Sequence, residues 1–315
     1  MKKRIVVIGS GMMGSGIAAR AASAGNEVVM QDMTEQKAEQ GKARAVACLQ
    51  ELRANDLLSE DVQACASHIF CAADLESAVK GADLVVEAIS EELHAKQRLF
   101  RQLDELLPPN VPIVSNTSGL RITEIAAEVK NHPERTMTAH FWMPAHLVPL
   151  VEIVLWEKTG RKMAEQVKQE LLLWGKAPVL VMKDLPGQLA NRILQAVIRE
   201  ASNIVEIGLA SPEDVDTAVK MGMGIRFPVW GPLEHVDAVG MELCASVQNK
   251  VLPAISDKKS AANIFDEKLH AGECGYKSGK GFYDWSKKDM QFLEKYRNNF
   301  IMNSLKFMRE YESSV

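Results

Sequence analysis

Residues 4–14 read Arg4-Ile-Val-Val-Ile8-Gly9-Ser10-Gly11-Met12-Met13-Gly14, a short β-branched run that breaks into three glycines and opens a helical pattern from Met12 to Ala24. Glycines spaced G-x-G-x-x-G between a strand and a helix form a phosphate-binding turn. Gly9 allows the tight turn, Gly11 lets the backbone approach a pyrophosphate, and Gly14 lets helix and strand pack closely. The free N–H groups and positive end of the helix, at Met12 and Met13, then hold the anion. Asp32 closes the next apolar run, where a carboxylate accepts hydrogen bonds from ribose hydroxyls and repels a 2′-phosphate. A turn tightened by glycine alone is the plainer reading. Strand, helix and carboxylate in one unit favour a dinucleotide, and Asp32 favours NAD over NADP.

Outward from this turn, apolar runs recur at Glu27–Met30, Asp83–Glu87, Pro112–Ser115, Val151–Val154 and Pro178–Met182, with helical patterns between them. Runs that do not alternate in polarity suit strands covered on both faces, so the sequence predicts an α/β fold with a doubly wound, mostly parallel Rossmann sheet. Strand signals stop at Asp184-Leu-Pro-Gly187, a helix start. Leu189, Ile193, Val197, Ala201 and Ile204 follow at three-to-four spacing, widened by Leu194, Ile198 and Val205, which predicts a deeply buried helix. The rest reads helical and closes on the stripe Leu293, Tyr296, Phe300, Leu305 and Met308. Predicted domains are 1–184, holding NAD, and 185–315, all-helical.

The chain has 315 residues, 47% hydrophobic and 25% charged, enough to bury two cores. A net charge of -4 lacks the basic excess expected of a nucleic-acid or anionic-membrane binder. The apolar run after Met1-Lys-Lys-Arg4 is too short for a signal peptide, and no run approaches the ~18 residues of a membrane span. Five scattered cysteines without C-x-x-C or paired histidines argue against structural zinc and a disulfide framework, and predict a reducing cytoplasm.

Two further stretches carry chemistry. In Val114-Ser-Asn116-Thr117-Ser118-Gly119, a strand runs into a polar turn, at the end of a doubly wound sheet where ligands bind. Helix capping by Ser118 or Thr123 is the equally available reading. In Ala139-His140 through Pro149-Leu-Val-Glu152, a histidine and a carboxylate flank a proline-bounded loop. A lone histidine is more often structural, but one oriented by a carboxylate is a reasonable proton acceptor for an alcohol being oxidised.

These segments, with Val85-Val-Glu87-Ala-Ile-Ser-Glu91, Pro186-Gly-Gln-Leu-Ala-Asn191-Arg192 and Gly279-Lys-Gly-Phe-Tyr283, resemble the L-3-hydroxyacyl-CoA dehydrogenase superfamily in order over nearly the whole chain. Glu200-Ala-Ser-Asn-Ile-Val-Glu206 and Gly222-Met-Gly-Ile-Arg226-Phe-Pro-Val-Trp-Gly look closer to the branch of lambda-crystallin/L-gulonate 3-dehydrogenase and L-carnitine dehydrogenase, which acts on small free hydroxy acids. The resemblance implies that His140 is the general base and Glu152 its partner. It implies that Ser118 and Asn191 bond the substrate near the reacting oxygen, that Arg226 clamps a carboxylate, and that Glu87 and Asn116 join the glycine turn at NAD. It also implies a homodimer formed through the helical domain. Without it, Asn191 reads as part of a polar helix face and Arg226 as a solvated surface residue.

Two other functions fit the same chain. One is a short-chain enzyme acting on a CoA thioester, for which Lys37, Lys42, Arg44 and Arg53 supply a thin basic patch. The other is a silent dinucleotide sensor or structural protein, against which the intact Ser118, His140, Glu152 and Asn191 argue. One departure stands out. Met143 occupies a position where the superfamily usually carries Asn, and a thioether makes no strong hydrogen bond. Altered specificity or reduced activity follows from that exchange unless His146 compensates.

Overall fold

Eight strands form one sheet in a computed structural model that describes residues 2–312. In chain order the elements are β1 (Arg4–Ile8), α1 (Met12–Ser23), β2 (Glu27–Gln31), α2 (Glu35–Ala54), α3 (Val62–Ala66), β3 (Ile69–Ala72), α4 (Leu75–Val79) and β4 (Leu84–Glu87). There follow α5 (Leu93–Leu106), β5 (Ile113–Ser115), α6 (Ile122–Ile125), β6 (Thr136–Phe141), β7 (Leu150–Val154), α7 (Arg161–Leu173) and β8 (Ala177–Val181). Sheet order is β3-β2-β1-β4-β5-β6-β7-β8, parallel throughout except for the antiparallel pair β6 and β7. This is the expected doubly wound Rossmann arrangement. Its order reverses at β1 and β4, and the crevice at such a switch point is where these sheets bind ligands.

Both faces of the sheet are covered, which is why its central strands read as unbroken apolar runs. On one face Ile17 of α1, Leu49 and Leu52 of α2 and Trp174 pack with Ile5, Val7 and Met30. On the other, Phe100 and Leu103 of α5 pack with Val6, Val85 and Ile113. Two strands are absent from the sequence reading, β3 and β6. In β6, Thr136, Thr138 and His140 interrupt the apolar signal although every residue of the strand is buried.

Two compact units divide the chain: Met1–Leu189 together with Glu294–Val315, and Ala190–Leu293. The divide falls a few residues beyond the expected boundary at 184, and the last helix, expected with the helical domain, lies mainly in the first unit. The second unit contains α8 (Ala190–Glu206), α9 (Pro212–Ala218), α10 (Pro232–Val239), α11 (Met241–Val251) and α12 (Asn263–His270), and α13 (Met290–Glu312) follows it. Within the first unit α13 buries Met302, with Ile301 and Leu305 packed on the core, while Tyr296 and Phe300 of the expected stripe are exposed. Helix α8 also differs from expectation. Only Ser202 is buried, and Ile193, Leu194, Val197 and Ile198 are exposed. A single chain leaves that apolar face uncovered.

Candidate active site

At the glycine turn the backbone leaves no alternative to glycine at two positions. Gly9 has φ of +94°, and a Cβ there would strike the Ala88 backbone. A Cβ on Gly14 would collide with the Gly9 carbonyl oxygen, so helix and strand meet there without side chains. Gly11 precedes α1 without a side-chain cap, and a Cβ added to it meets nothing within 4 Å. Gly11 thus leaves room for an anion to approach the start of the helix, whose first N–H groups have no partner within it.

Asp32 follows β2 directly. Its Oδ2 accepts the Ser10 amide at 2.9 Å and the Ser10 hydroxyl at 2.6 Å, and its Oδ1 accepts the Met33 amide at 2.8 Å. Burial would raise this carboxyl, but the Ser10 and Met33 donors and the Lys37 charge outweigh it, leaving it below the usual carboxylate value. An ionised Asp32 at this point fits an unphosphorylated ribose. The turn and Asp32 together fit NAD.

The side chain of Glu87 is taken up by partners within the fold. It is fully buried, ion-paired to Lys96 at 2.6 Å and bonded by the Ser115 hydroxyl and the Ile89 amide at 2.8 Å. The Glu87 carboxylate ties β4 to β5 and α5, so a part for this residue at NAD falls to its backbone at the end of β4 and stays a proposal. Glu91, which sequence reading did not single out, does more at the surface. Its Oε1 accepts the Thr117 hydroxyl at 2.6 Å and the amides of Ser118 and Gly119 at 3.0 and 2.9 Å, while Lys96 lies 3.3 Å from its Oε2. One carboxylate thereby folds the turn that presents Ser118.

His140 and Glu152 are register partners across the antiparallel β6 and β7. Directly opposed residues project to the same side of a sheet, and here His140 Nδ1 lies 3.0 Å from Glu152 Oε2. On the far side of the ring, Nε2 lies 3.0 Å from the Ser118 hydroxyl. A carboxylate facing Nδ1 holds the proton on that nitrogen, leaving Nε2 as an acceptor directed at Ser118. Glu152 is fully buried and well supplied with donors: Trp142 Nε1 reaches the same Oε2 at 2.9 Å, and the Leu189 amide reaches Oε1 at 2.8 Å. Trp142 escaped the sequence reading because nothing in its spacing signals a side-chain donor.

The other expected residues divide by unit. Asn116 Oδ1 accepts the Phe141 amide at 2.8 Å, locking the end of β5 to β6. Ser118 caps no helix, and the Thr123 hydroxyl bonds Asp184 at 2.6 Å. Met143 is 55% exposed beside these strands. The ring of His146 is buried and its Nε2 lies 2.8 Å from Glu51 of α2. Within the second unit, Asn191 stands in the first turn of α8, and Arg226 is exposed with its Nη2 3.5 Å from His235. Among the described residues no group of three or more His, Cys, Asp or Glu side chains could hold a metal ion, and no helix is long and apolar enough to cross a membrane.

Comparison with known proteins adds names to this geometry. Residues 4–185 match the family described as 3-hydroxyacyl-CoA dehydrogenase, NAD binding domain, and residues 187–285 match its C-terminal domain. The 5-formyl-3-hydroxy-2-methylpyridine 4-carboxylate 5-dehydrogenase of Mesorhizobium japonicum is 33% identical, covering 93% of this chain and 94% of its own length. A probable 3-hydroxybutyryl-CoA dehydrogenase of Bacillus subtilis is 38% identical, covering 91% of this chain and 98% of its own. Among solved structures, a 5-formyl-3-hydroxy-2-methylpyridine 4-carboxylic acid 5-dehydrogenase, described as an NAD+ dependent dismutase, superposes with a TM-score of 0.88 at 32% identity, covering 98% of this chain and 99% of that one.

Proposed function

Because the chain belongs to the 3-hydroxyacyl-CoA dehydrogenase family and is an NAD-dependent dehydrogenase acting on a CH–OH group, we propose that it oxidises a secondary 3-hydroxyl of a small free carboxylate or reduces the ketone. The observation that carries the chemistry is the line from Ser118 through His140 to Glu152, at 3.0 Å per step. Bound NAD supplies the hydride acceptor, held by the glycine turn and Asp32. His140 Nε2 takes the hydroxyl proton as the alcohol becomes a ketone. Glu152 stabilises the imidazolium formed, and Ser118, on the turn that Glu91 holds by its backbone amide, turns its hydroxyl from Nε2 to donate to the substrate oxygen.

Two observations support a free acid over a thioester. Arg226 is exposed and makes no ion pair among the described residues, and a guanidinium grips a carboxylate with two parallel hydrogen bonds. A relative named for a pyridine carboxylate resembles this chain over almost its full length. The thioester reading is favoured in turn by the Bacillus subtilis relative. NADH formation with a panel of short 3-hydroxy acids and with 3-hydroxybutyryl-CoA separates the two: turnover on the thioester alone rejects the free-acid assignment. Asn191 is the second donor proposed for the substrate oxygen.

A homodimer formed through the helical unit accounts for the bare apolar face of α8, and the 79% exposure of Leu233 on α10 points the same way. The reducing cytoplasm inferred from the cysteines remains part of this proposal, and all five thiols are free.

A further inference from the structure

At the C-terminal end of α1, the end opposite the glycine turn, the first unit contains a cavity of about 400 Å³ whose wall includes Arg20, Arg53, Asp56, Ser59, Trp174 and Arg309. Three guanidinium groups share this wall with one carboxylate. Arg20 is only 5% exposed; its Nε donates to the His146 carbonyl at 2.6 Å, and it makes no ion pair among the described residues. The charge that acts on it is the Arg309 cation, and Asp56 is the one carboxylate on the same wall. Burial first, then the Arg309 charge, brings Arg20 down to about 10, and burial followed by the Arg20 charge pushes Lys176 well below the usual lysine value. Asp56 is 3.5 Å from Lys306, so its charge is already shared. Arg53 Nη1 donates to the carbonyls of Leu58 and Ser59 at 3.1 and 3.0 Å, which leaves its charge unpaired.

Helices α1 and α7 end at Ala24 and Trp174, and their exposed carbonyls add roughly half a negative charge each. Arg53 and Arg309 are exposed to solvent, so the charge left buried without a full counter-charge is that of Arg20. A buried cation without a counter-ion is costly, and an entering anion removes the cost. Guanidinium forks match phosphate oxygens two at a time, and the cavity volume falls within the range of about 300–1,000 Å³ that holds small ligands.

We propose that this cavity binds the phosphate group of a small anion between the guanidinium groups of Arg20, Arg53 and Arg309. The anion fastens α13 to α1 and α2, adding to the contacts of Asn298 with Glu51 and Lys306 with Asp56. Arg309 lies on α13, beyond residue 285 where the family match ends, while Arg20 and Arg53 lie on α1 and α2 within it.

The test uses the full-length protein saturated with NADH, so that phosphate binding cannot report on the glycine turn. Inorganic phosphate and glycerol 3-phosphate are titrated by calorimetry at constant ionic strength, with chloride as the control. We expect saturable binding of at least one phosphate compound and none of chloride, weakened at least tenfold by Arg53→Gln and by Arg309→Gln with NADH affinity unchanged. Tighter binding of the monoester assigns the site to a phosphorylated metabolite, and the reverse assigns it to free phosphate. Absence of saturable binding, or binding that both variants leave intact, overturns the proposal. Arg309→Gln keeps the test decisive if Arg53→Gln fails to fold, because Arg309 is exposed and its side chain makes no hydrogen bond among the described residues.

Discussion

Trp142 donates its indole N–H to the same Glu152 oxygen that faces His140, at 2.9 Å against 3.0 Å for the histidine. Two donors on one buried oxygen divide its negative charge between them. Trp142→Phe removes one of these donors and loosens the hold on the carboxylate that orients His140. We expect kcat to fall by up to about tenfold with NADH affinity unchanged, measured at saturating substrate. A folded variant with the parent's kcat would show that the indole only fills space.

His140→Ala should lower turnover by ~10² or more while NADH affinity survives, because a positioned base contributes about that much. Ser118→Ala should cost less, about tenfold. Turnover of the His140 variant within tenfold of the parent, measured at saturating substrate, would remove the histidine from the chemistry.

Asp32 is expected to set the cofactor preference. Its ionised carboxylate would meet the extra phosphate of NADP, so the parent should prefer NAD by kcat/KM, and Asp32→Ala should narrow that preference at least tenfold. Steady-state kinetics with both cofactors decide it, and a parent that prefers NADP contradicts the reading.

Arg226→Leu should cut kcat/KM at least tenfold on a free 3-hydroxy acid, since charge-assisted hydrogen bonds contribute about 1.5–3 kcal/mol. Activity on 3-hydroxybutyryl-CoA, which presents no carboxylate there, should hardly change. Equal losses on the two substrates would make Arg226 structural.

Glu51 gives a pH signature. Its hydrogen bond to His146 is the main reason its carboxyl lies below the usual value. A depressed carboxyl adds stability above its unfolded value and loses it as pH falls through the folded one. Glu51→Gln should therefore lower Tm at pH 7, by about 1 kcal/mol of stability, and the difference from the parent should vanish in acid. A pH-independent difference would mean that packing, not charge, is what the substitution removes.

The sequence determined the Rossmann half because parallel strands buried on both faces print as unbroken apolar runs, and because a glycine turn between strand and helix has few other uses. It also supplied His140 and Glu152 as a pair, though across a loop and not as opposed residues of two strands. Strand β6 stayed hidden because Thr136, Thr138 and His140 are buried through partners distant in sequence: Thr136 bonds the Trp156 indole and His140 meets Glu152. Only the tertiary structure showed that Ser118 caps no helix and that its hydroxyl faces the imidazole, since the pairing of β5 with β6 brings its turn there. Glu87 and Glu91 are equally acidic in the sequence, and the fold alone seals one behind Lys96 and leaves the other to shape the turn. For α8 the periodicity predicted that an apolar face would be buried, yet the chain alone leaves that face exposed. Hydrophobic burial is non-directional, so a helical stripe records that a surface must be covered without recording which molecule covers it.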